Sequence, residues 1–235
     1  MTDPLRVLIH GANGRMGLVL LRLAGRDPAW DIAGAVSRRV EGRVVEGVPR
    51  FAASELNGVP TFDVAIDFSQ PEGFEGILGL CVARGKPFVS GTTGLTTSQF
   101  EALDAASTRI ATIWASNFSL GVAVLHDLVE RAARVLPGWD CDIIESHHTR
   151  KVDSPSGTAL TLGDSAGQGG ATPHYASIRA GDIVGEHSVQ FTSAGERIEL
   201  IHRASNRDIF AVGALHAARA LHAREAGRYQ PIDLL

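Results

Sequence analysis

The sequence predicts an α/β chain in two parts. A Rossmann-like, parallel-sheet dinucleotide-binding domain is expected over residues 1–118, and a second, α+β substrate domain with a mostly antiparallel sheet over residues 119–205. Three observations predict this. Short Val- and Ile-rich runs alternate with helix-compatible stretches through the first half, the βαβα pattern of a parallel sheet. The first run passes straight into Gly11-Ala12-Asn13-Gly14-Arg15-Met16-Gly17, a glycine-rich turn from strand to helix. Beyond Gly167-Gln168-Gly169-Gly170 the strand-like runs follow one another without helices between them.

Bulk properties narrow the class. An apolar fraction of 44% and a charged fraction of 20% are ordinary for a soluble globular protein. A net charge of -4 argues against nucleic acid or an anionic membrane as partner. No run approaches the roughly 20 apolar residues of a membrane span, and Val7-Leu8-Ile9 meets Gly11 too soon for a signal peptide. Cys81 and Cys141 stand alone, outside any CxxC spacing, and read as reduced thiols of a cytoplasmic protein.

In chain order, Leu5 to His10 is a β-rich run. Gly11 then permits a tight turn, Gly14 lets the backbone approach a pyrophosphate, and Gly17 lets the following helix pack closely. That helix carries Leu18, Leu20, Leu21 and Leu23 and ends near Gly25. The second strand, Ile32 to Val36, ends at Ser37-Arg38-Arg39, about 20 residues past the last fingerprint glycine, where an NAD-specific site carries an acid. A hydroxyl and two arginines stand here instead. Arginine grips a phosphate bidentately, so NADPH is the expected cofactor, with NADH possible. Val64 to Ser69, Pro87 to Ser90 and Ile110 to Ala115 read as further strands, with helices over 71–83 and 97–106. Gly91-Thr92-Thr93 and Ala115-Ser116-Asn117-Phe118 lie at strand ends and are candidates to touch the nicotinamide half.

From Ser119 the pattern changes. Ser119 caps a helix carrying Val122, Leu125, Val129, Ala132 and Ala133, and Pro137-Gly138 stops it. Asp140 to Ser146 reads as a strand running into Glu145-Ser146-His147-His148-Thr149-Arg150-Lys151-Val152-Asp153-Ser154-Pro155-Ser156-Gly157-Thr158. Ser154 or Ser156 is the N-cap of a helix to about Ala166, and Pro155 sits where a missing N–H costs little. A helix start suits an anion, and protonatable groups beside it point to an active site for a small carboxylate or phosphate. Tyr175 to Arg179, Ser188 to Thr192 and Ile198 to Arg203 are the later strands. An alanine-rich helix over 207–225 follows, and the segment 206–235 is expected to pack back on the first domain.

These residues resemble the 4-hydroxy-tetrahydrodipicolinate (dihydrodipicolinate) reductase family. Glu145 to Ala159 is similar to its signature E-x-H-H-x-x-K-x-D-x-P-S-G-T-A, and Gly11 to Gly17 to its G-x-x-G-R-M-G fingerprint. Asp67-Phe68-Ser69-Gln70-Pro71, Gly91-Thr92-Thr93-Gly94, Ala115 to Ser119 and Arg179 to His187 match further family blocks, in order along nearly the whole chain. The resemblance implies reduction of 4-hydroxy-tetrahydrodipicolinate by NAD(P)H, in diaminopimelate and lysine biosynthesis. It implies His147 as proton donor/acceptor, Lys151 as second proton donor, and substrate contacts at His148, Gly157 and Thr158. Cofactor contacts fall on Gly11, Ala12, Asn13, Gly14, Arg15 and Met16, on Gly91, Thr92 and Thr93, and on Ala115, Ser116, Asn117 and Phe118. The family's usual Glu-Arg after the second strand is Ser37-Arg38 here, which favours NADPH. The family is typically a homotetramer through the second-domain sheet, and its longer segment before Tyr175 is cut short in this chain.

Rival readings need other features. A zinc site at His147-His148 requires both imidazoles on one metal, whereas adjacent strand residues point to opposite faces, so no metal is expected. A semialdehyde dehydrogenase needs an activated cysteine, and neither Cys81 nor Cys141 lies in a nucleophile motif. A cofactor-binding sensor without turnover needs no polar cluster at a helix start.

Overall fold

The computed structural model describes residues 3–40, 42, 44–45 and 47–234. They fall into two compact units, one up to Phe118 together with the chain from Phe210 onward, the other Ser119–Ile209.

In the first unit the strands are β1 (Leu5–His10), β2 (Trp30–Ser37), β3 (Val44–Val45), β4 (Val48–Ala52), β5 (Val64–Asp67), β6 (Phe88–Ser90), β7 (Ala111–Trp114) and a late edge strand, Gly227–Tyr229. The order is Gly227–Tyr229, β7, β6, β5, β1, β2, β4, β3, parallel throughout except for the β3–β4 pair. Successive strand residues face opposite sides, so β1 feeds two apolar layers. Val7 and Ile9 pack with Leu20 and Ala24 of α1 (Arg15–Ala24) and with Ala211, Ala214 and Leu221 of the last helix, Asp208–His222. Leu8 packs with Phe74 and Ile77 of α2 (Pro71–Arg84) and Leu103 of α3 (Thr97–Ser107). Pro71 opens α2 at its first turn, Gly85 closes it in the left-handed conformation, and Thr96 with Gln99 forms a capping box on α3. From β1 the chain steps to β2 on one side and later to β5 on the other, so the carboxyl ends of β1 and β5 flank a switch point, where α/β sheets bind ligands.

In the second unit, α4 (Leu120–Val135) precedes β8 (Asp140–His147), α5 (Gly157–Gln168), β9 (Pro173–Arg179), β10 (Gly185–Ser193) and β11 (Glu196–Ala204). The sheet order is β11-β10-β8-β9, antiparallel except for the parallel β8–β9 pair, whose crossover is α5. One face is covered: Leu125 and Val129 of α4 and Ala159 and Leu162 of α5 pack on Cys141, Ile143, Val189 and Phe191. The last helix of the chain is therefore α6 and the late edge strand β12.

Two local expectations are corrected, and one open choice is decided. Residues 44–52 carry β3 and β4, absent from the sequence reading because Pro49 and Arg50 interrupt the apolar pattern and β4 is only half-buried. β12 has three residues, too few to show any period. Of the two caps the sequence allows for the helix at the polar cluster, Ser156 is the one used, and Pro155 lies just ahead of it, after a cis peptide bond.

Candidate active site

The dinucleotide fingerprint has a steric basis. Gly11 has φ +78, and a Cβ there would lie 2.2 Å from the Phe68 carbonyl oxygen at the end of β5. A Cβ on Gly17 would lie 2.3 Å from the Gly11 carbonyl oxygen, so only glycine lets α1 start this tightly against the turn. Gly14 caps α1 with no side-chain acceptor. The first-turn amides are thus left without a side-chain partner, the arrangement that suits a phosphate.

Asp67 organises the surrounding strand ends. Its Oδ1 lies 2.8 Å from His10 Nδ1 and accepts from the Ser69 amide, while Oδ2 accepts from Ser90 Oγ at 2.9 Å and Thr92 Oγ1 at 2.7 Å. Burial opposes its charge, but His10, Ser69 and Thr92 hold its carboxyl below the ordinary value. One carboxylate therefore ties together the ends of β1, β5 and β6.

A cavity of about 890 Å³ opens at this switch point, lined by His10, Gly11, Asn13, Gly14, Ser37, Arg38, Phe68, Ser69, Gln70 and Gly73, among others. It brings together five of the residues expected to touch cofactor. Arg15 is exposed at the start of α1, Met16 packs on the core, and Ala12 is fully buried. Thr92, Ala115 and Phe118 bury their side chains, Thr92 on Asp67 and Phe118 edge-on to Phe68 at 5.8 Å, so only their backbone could face a ligand. Ser37 is also buried, and its hydroxyl accepts from the Asn13 amide. A side cavity of about 260 Å³ beside Ser37 is lined by Asn13, Arg39 and Arg50, and Arg50 donates to Asn13 Oδ1 at 3.4 Å. Sequence reasoning missed His10 and Arg50. His10 is the last strand residue before the fingerprint, a position that strand-end logic could have flagged. Arg50 lies on β4, which carried no legible pattern.

The second unit holds the polar cluster. β8 alternates, burying Cys141, Ile143, Glu145 and His147 on one face. Glu145 Oε2 lies 2.5 Å from His147 Nδ1. Arg179, beside His147 in register on β9, donates to both Glu145 oxygens at 2.9 and 2.7 Å and to the Asp153 carbonyl. The Ser156 amide donates to Glu145 Oε1 at 3.2 Å, and Ser156 Oγ accepts from the Ala159 amide while meeting His187 Nε2. His148 lies just past the strand, with Nε2 3.1 Å from the Arg207 guanidinium, so the two adjacent histidines have different surroundings. Lys151 pairs with Asp153 at 2.8 Å. Asp153 is held below its ordinary value first by Lys151 and further by the Gly157 amide, so a carboxylate already rests on a lysine and a helix start here.

Burial pushes Glu145 upward, but hydrogen bonds from Arg179, Ser177 and His147 bring it down to about 2. Burial lowers His147; Glu145 opposes that shift, while Lys151 and Arg179 add to it. His187 stands edge-on to His147 at 5.2 Å, and burial followed by the charge of His147 lowers it to about 4. Of these two imidazoles, His147 is the one with a carboxylate on a ring nitrogen, whereas His187 meets the Ser156 hydroxyl. Both cysteines are buried, with the Cys81 thiol raised strongly and Cys141 pushed up to about 11 by burial, which makes both poor nucleophiles.

Comparison with known proteins agrees along the whole chain. Residues 5–118 match the family described as dihydrodipicolinate reductase, N-terminus, and residues 121–235 match dihydrodipicolinate reductase, C-terminus. The chain is 68% identical over 234 residues to the 4-hydroxy-tetrahydrodipicolinate reductase of Stenotrophomonas maltophilia (strain K279a), covering 99% of this chain and 98% of that one. It is 65% identical to the protein of the same name from Xanthomonas axonopodis pv. citri (strain 306), covering 100% and 99%. Among solved structures, a dipicolinate-bound dihydrodipicolinate reductase from Paenisporosarcina sp. TG-14 shares the fold with a TM-score of 0.81 at 21% identity, covering 97% of each chain.

Proposed function

The chain belongs to the dihydrodipicolinate reductase family, and from that premise we propose how its residues divide the work. The protein reduces 4-hydroxy-tetrahydrodipicolinate to tetrahydrodipicolinate with NAD(P)H, in diaminopimelate and lysine biosynthesis. In our reading residues 1–118 bind the dinucleotide, 119–209 bind the dicarboxylate and form the oligomer contact, and 210–235 complete the first unit. The observation that carries the reading is the pairing, within one short stretch from the end of β8 to the start of α5, of a buried imidazole with a lysine and helix start that already hold a carboxylate.

The Gly11 turn, which tolerates no Cβ, suits a closely approaching pyrophosphate, and the bound dinucleotide supplies a hydride. Loss of the 4-hydroxyl as water leaves a conjugated C=C–C=N system in the substrate ring. Hydride addition at C4 pushes an electron pair toward the ring nitrogen, giving an enamine-like anion. His147 delivers the proton that quenches it at the carbon next to the imine carbon, which restores the C=N bond. Lys151 stabilises the developing negative charge and one substrate carboxylate. Gly157 and Thr158 receive that carboxylate at the α5 start, and His148 contacts substrate. The Lys151–Asp153 pair is partly exposed, at 23% and 56%, and such a pair is worth only about 0.2–1 kcal/mol. A substrate carboxylate therefore exchanges with Asp153 at little cost.

We further propose that NADPH is the preferred cofactor and NADH the weaker one. Arg39 and Arg50 at the side cavity support this reading as much as Arg38 does. Steady-state kinetics of the Arg39→Ala/Arg50→Gln double variant should show the NADPH KM raised about 10–100-fold and the NADH KM within about twofold. A wild-type protein that prefers NADH would contradict the proposal.

We place the protein in the cytoplasm, a reading supported by its two free, buried thiols. Association into a homotetramer is supported by the open face of the second sheet. There Ile144, Ser188 and Ile201 form one cross-strand row, and Ile178 and Ile201 are 48% and 43% exposed. Light scattering should give four times the 24.9 kDa chain mass, falling for Ile201→Glu. A monomeric wild type would contradict it.

A further inference from the structure

We propose that Glu145 is a positioning residue for the proton on His147. Held in place by Arg179, it fixes which imidazole nitrogen reacts and couples the proton donor to the start of α5. This inference rests on the reading of His147 as the acid.

The sequence makes the pair possible: residues two apart on a strand share a face, so β8 turns Glu145 and His147 to the same buried side. An ionised carboxylate only accepts hydrogen bonds. Glu145 accepts from both Arg179 terminal nitrogens and from the Ser156 amide, so its 2.5 Å contact with His147 Nδ1 places a hydrogen on that nitrogen. The neutral tautomer is then Nδ1–H, and proton exchange with substrate runs through Nε2. Space agrees: Nε2 faces Gly185, where a Cβ would lie 3.0 Å away, so the glycine keeps a side chain from crowding that nitrogen. Arg179 keeps Glu145 ionised, so the shared proton stays with the imidazole. The Ser156 amide on the same carboxylate fixes the cap residue of α5, so movement of the proton donor and of the anion cradle is linked through one side chain.

The charged and titratable groups facing His147 are Glu145 on its own strand, Lys151 from the following loop, Arg179 from β9 and His187 from β10. Of these, only Glu145 favours the imidazolium. An acid must be protonated, so activity is present below its pKa and lost above it. Glu145→Gln removes the favouring charge, and the pH at which kcat falls should move downward.

The test joins three measurements on the full-length protein. In ¹⁵N-histidine spectra, neutral wild-type His147 should be the Nδ1–H tautomer; an Nε2–H tautomer would overturn the proposal without any variant. For Glu145→Gln, kcat should fall about 10–100-fold, the cost of losing an orienting partner, with the kcat limb shifted to lower pH and the NADPH Kd unchanged. Glu145→Asp should restore the position of the limb, because the charge returns, while recovering only part of kcat. Adding Glu145→Gln to His147→Gln should cost little more, since the two act as a unit. A full, multiplicative cost in the double variant, or an unmoved limb, would make Glu145 merely structural. Wild-type turnover by His147→Gln alone would instead sink the acid assignment, a distinguishable failure.

Discussion

Exchanging His147 for glutamine should lower kcat about 10²–10⁴-fold, the loss typical of a positioned general acid, while the NADPH Kd stays within about twofold. The size follows from geometry. His147 is 8% exposed on a buried strand face, pinned at Nδ1 by Glu145, and its edge-on neighbour His187, lowered to about 4, cannot take over the proton. Glutamine can preserve a hydrogen bond to Glu145 but carries no transferable proton near neutrality. The effect should therefore appear in kcat and kcat/KM alike, the signature of an interaction made in the transition state. Stopped-flow oxidation of NADPH, with binding measured separately by cofactor fluorescence, separates the two quantities. Comparable turnover by variant and wild type would remove His147 from the chemistry.

Lys151→Ala should raise the substrate KM about 10–100-fold and lower kcat at least about tenfold, a different pattern from His147→Gln. Lys151 sits where a carboxylate is already held, through Asp153, so its cation binds charge in the ground state as well as in the transition state. Its loss also leaves Asp153 without its main counter-charge beside the Gly157 amide, so Asp153 competes better for the helix start. Steady-state kinetics over a range of substrate concentrations checks this. A change in KM alone would make Lys151 a binding residue without a part in catalysis.

Much of this was legible in the sequence because single residues carried strong local constraints. Gly11 and Gly17 are required by contacts of 2.2 and 2.3 Å with backbone, so the fingerprint spacing encodes the turn directly. The shared face of Glu145 and His147 follows from strand period once β8 runs one residue further than the expected Ser146. What stayed hidden depends on contacts distant in sequence. Arg179 meets Glu145 across 34 residues and Arg50 approaches Asn13 across 37, and no local pattern shows either pairing. The inward side chains of Thr92 and Phe118 were also illegible, since a strand-end position says which residues are near a ligand and not which way they turn. Ser154 and Ser156 were equivalent as caps by composition, and the choice of Ser156 came from Glu145 and His187, both outside the helix.

The most direct measurement follows NADPH consumption by wild type and by His147→Gln, with 4-hydroxy-tetrahydrodipicolinate generated in situ by the synthase that precedes this step. Wild type should oxidise the cofactor only while substrate is being formed, and His147→Gln, binding NADPH equally well, should do so at least about 100-fold more slowly. Equal rates for the two proteins would contradict the assignment of the proton to His147.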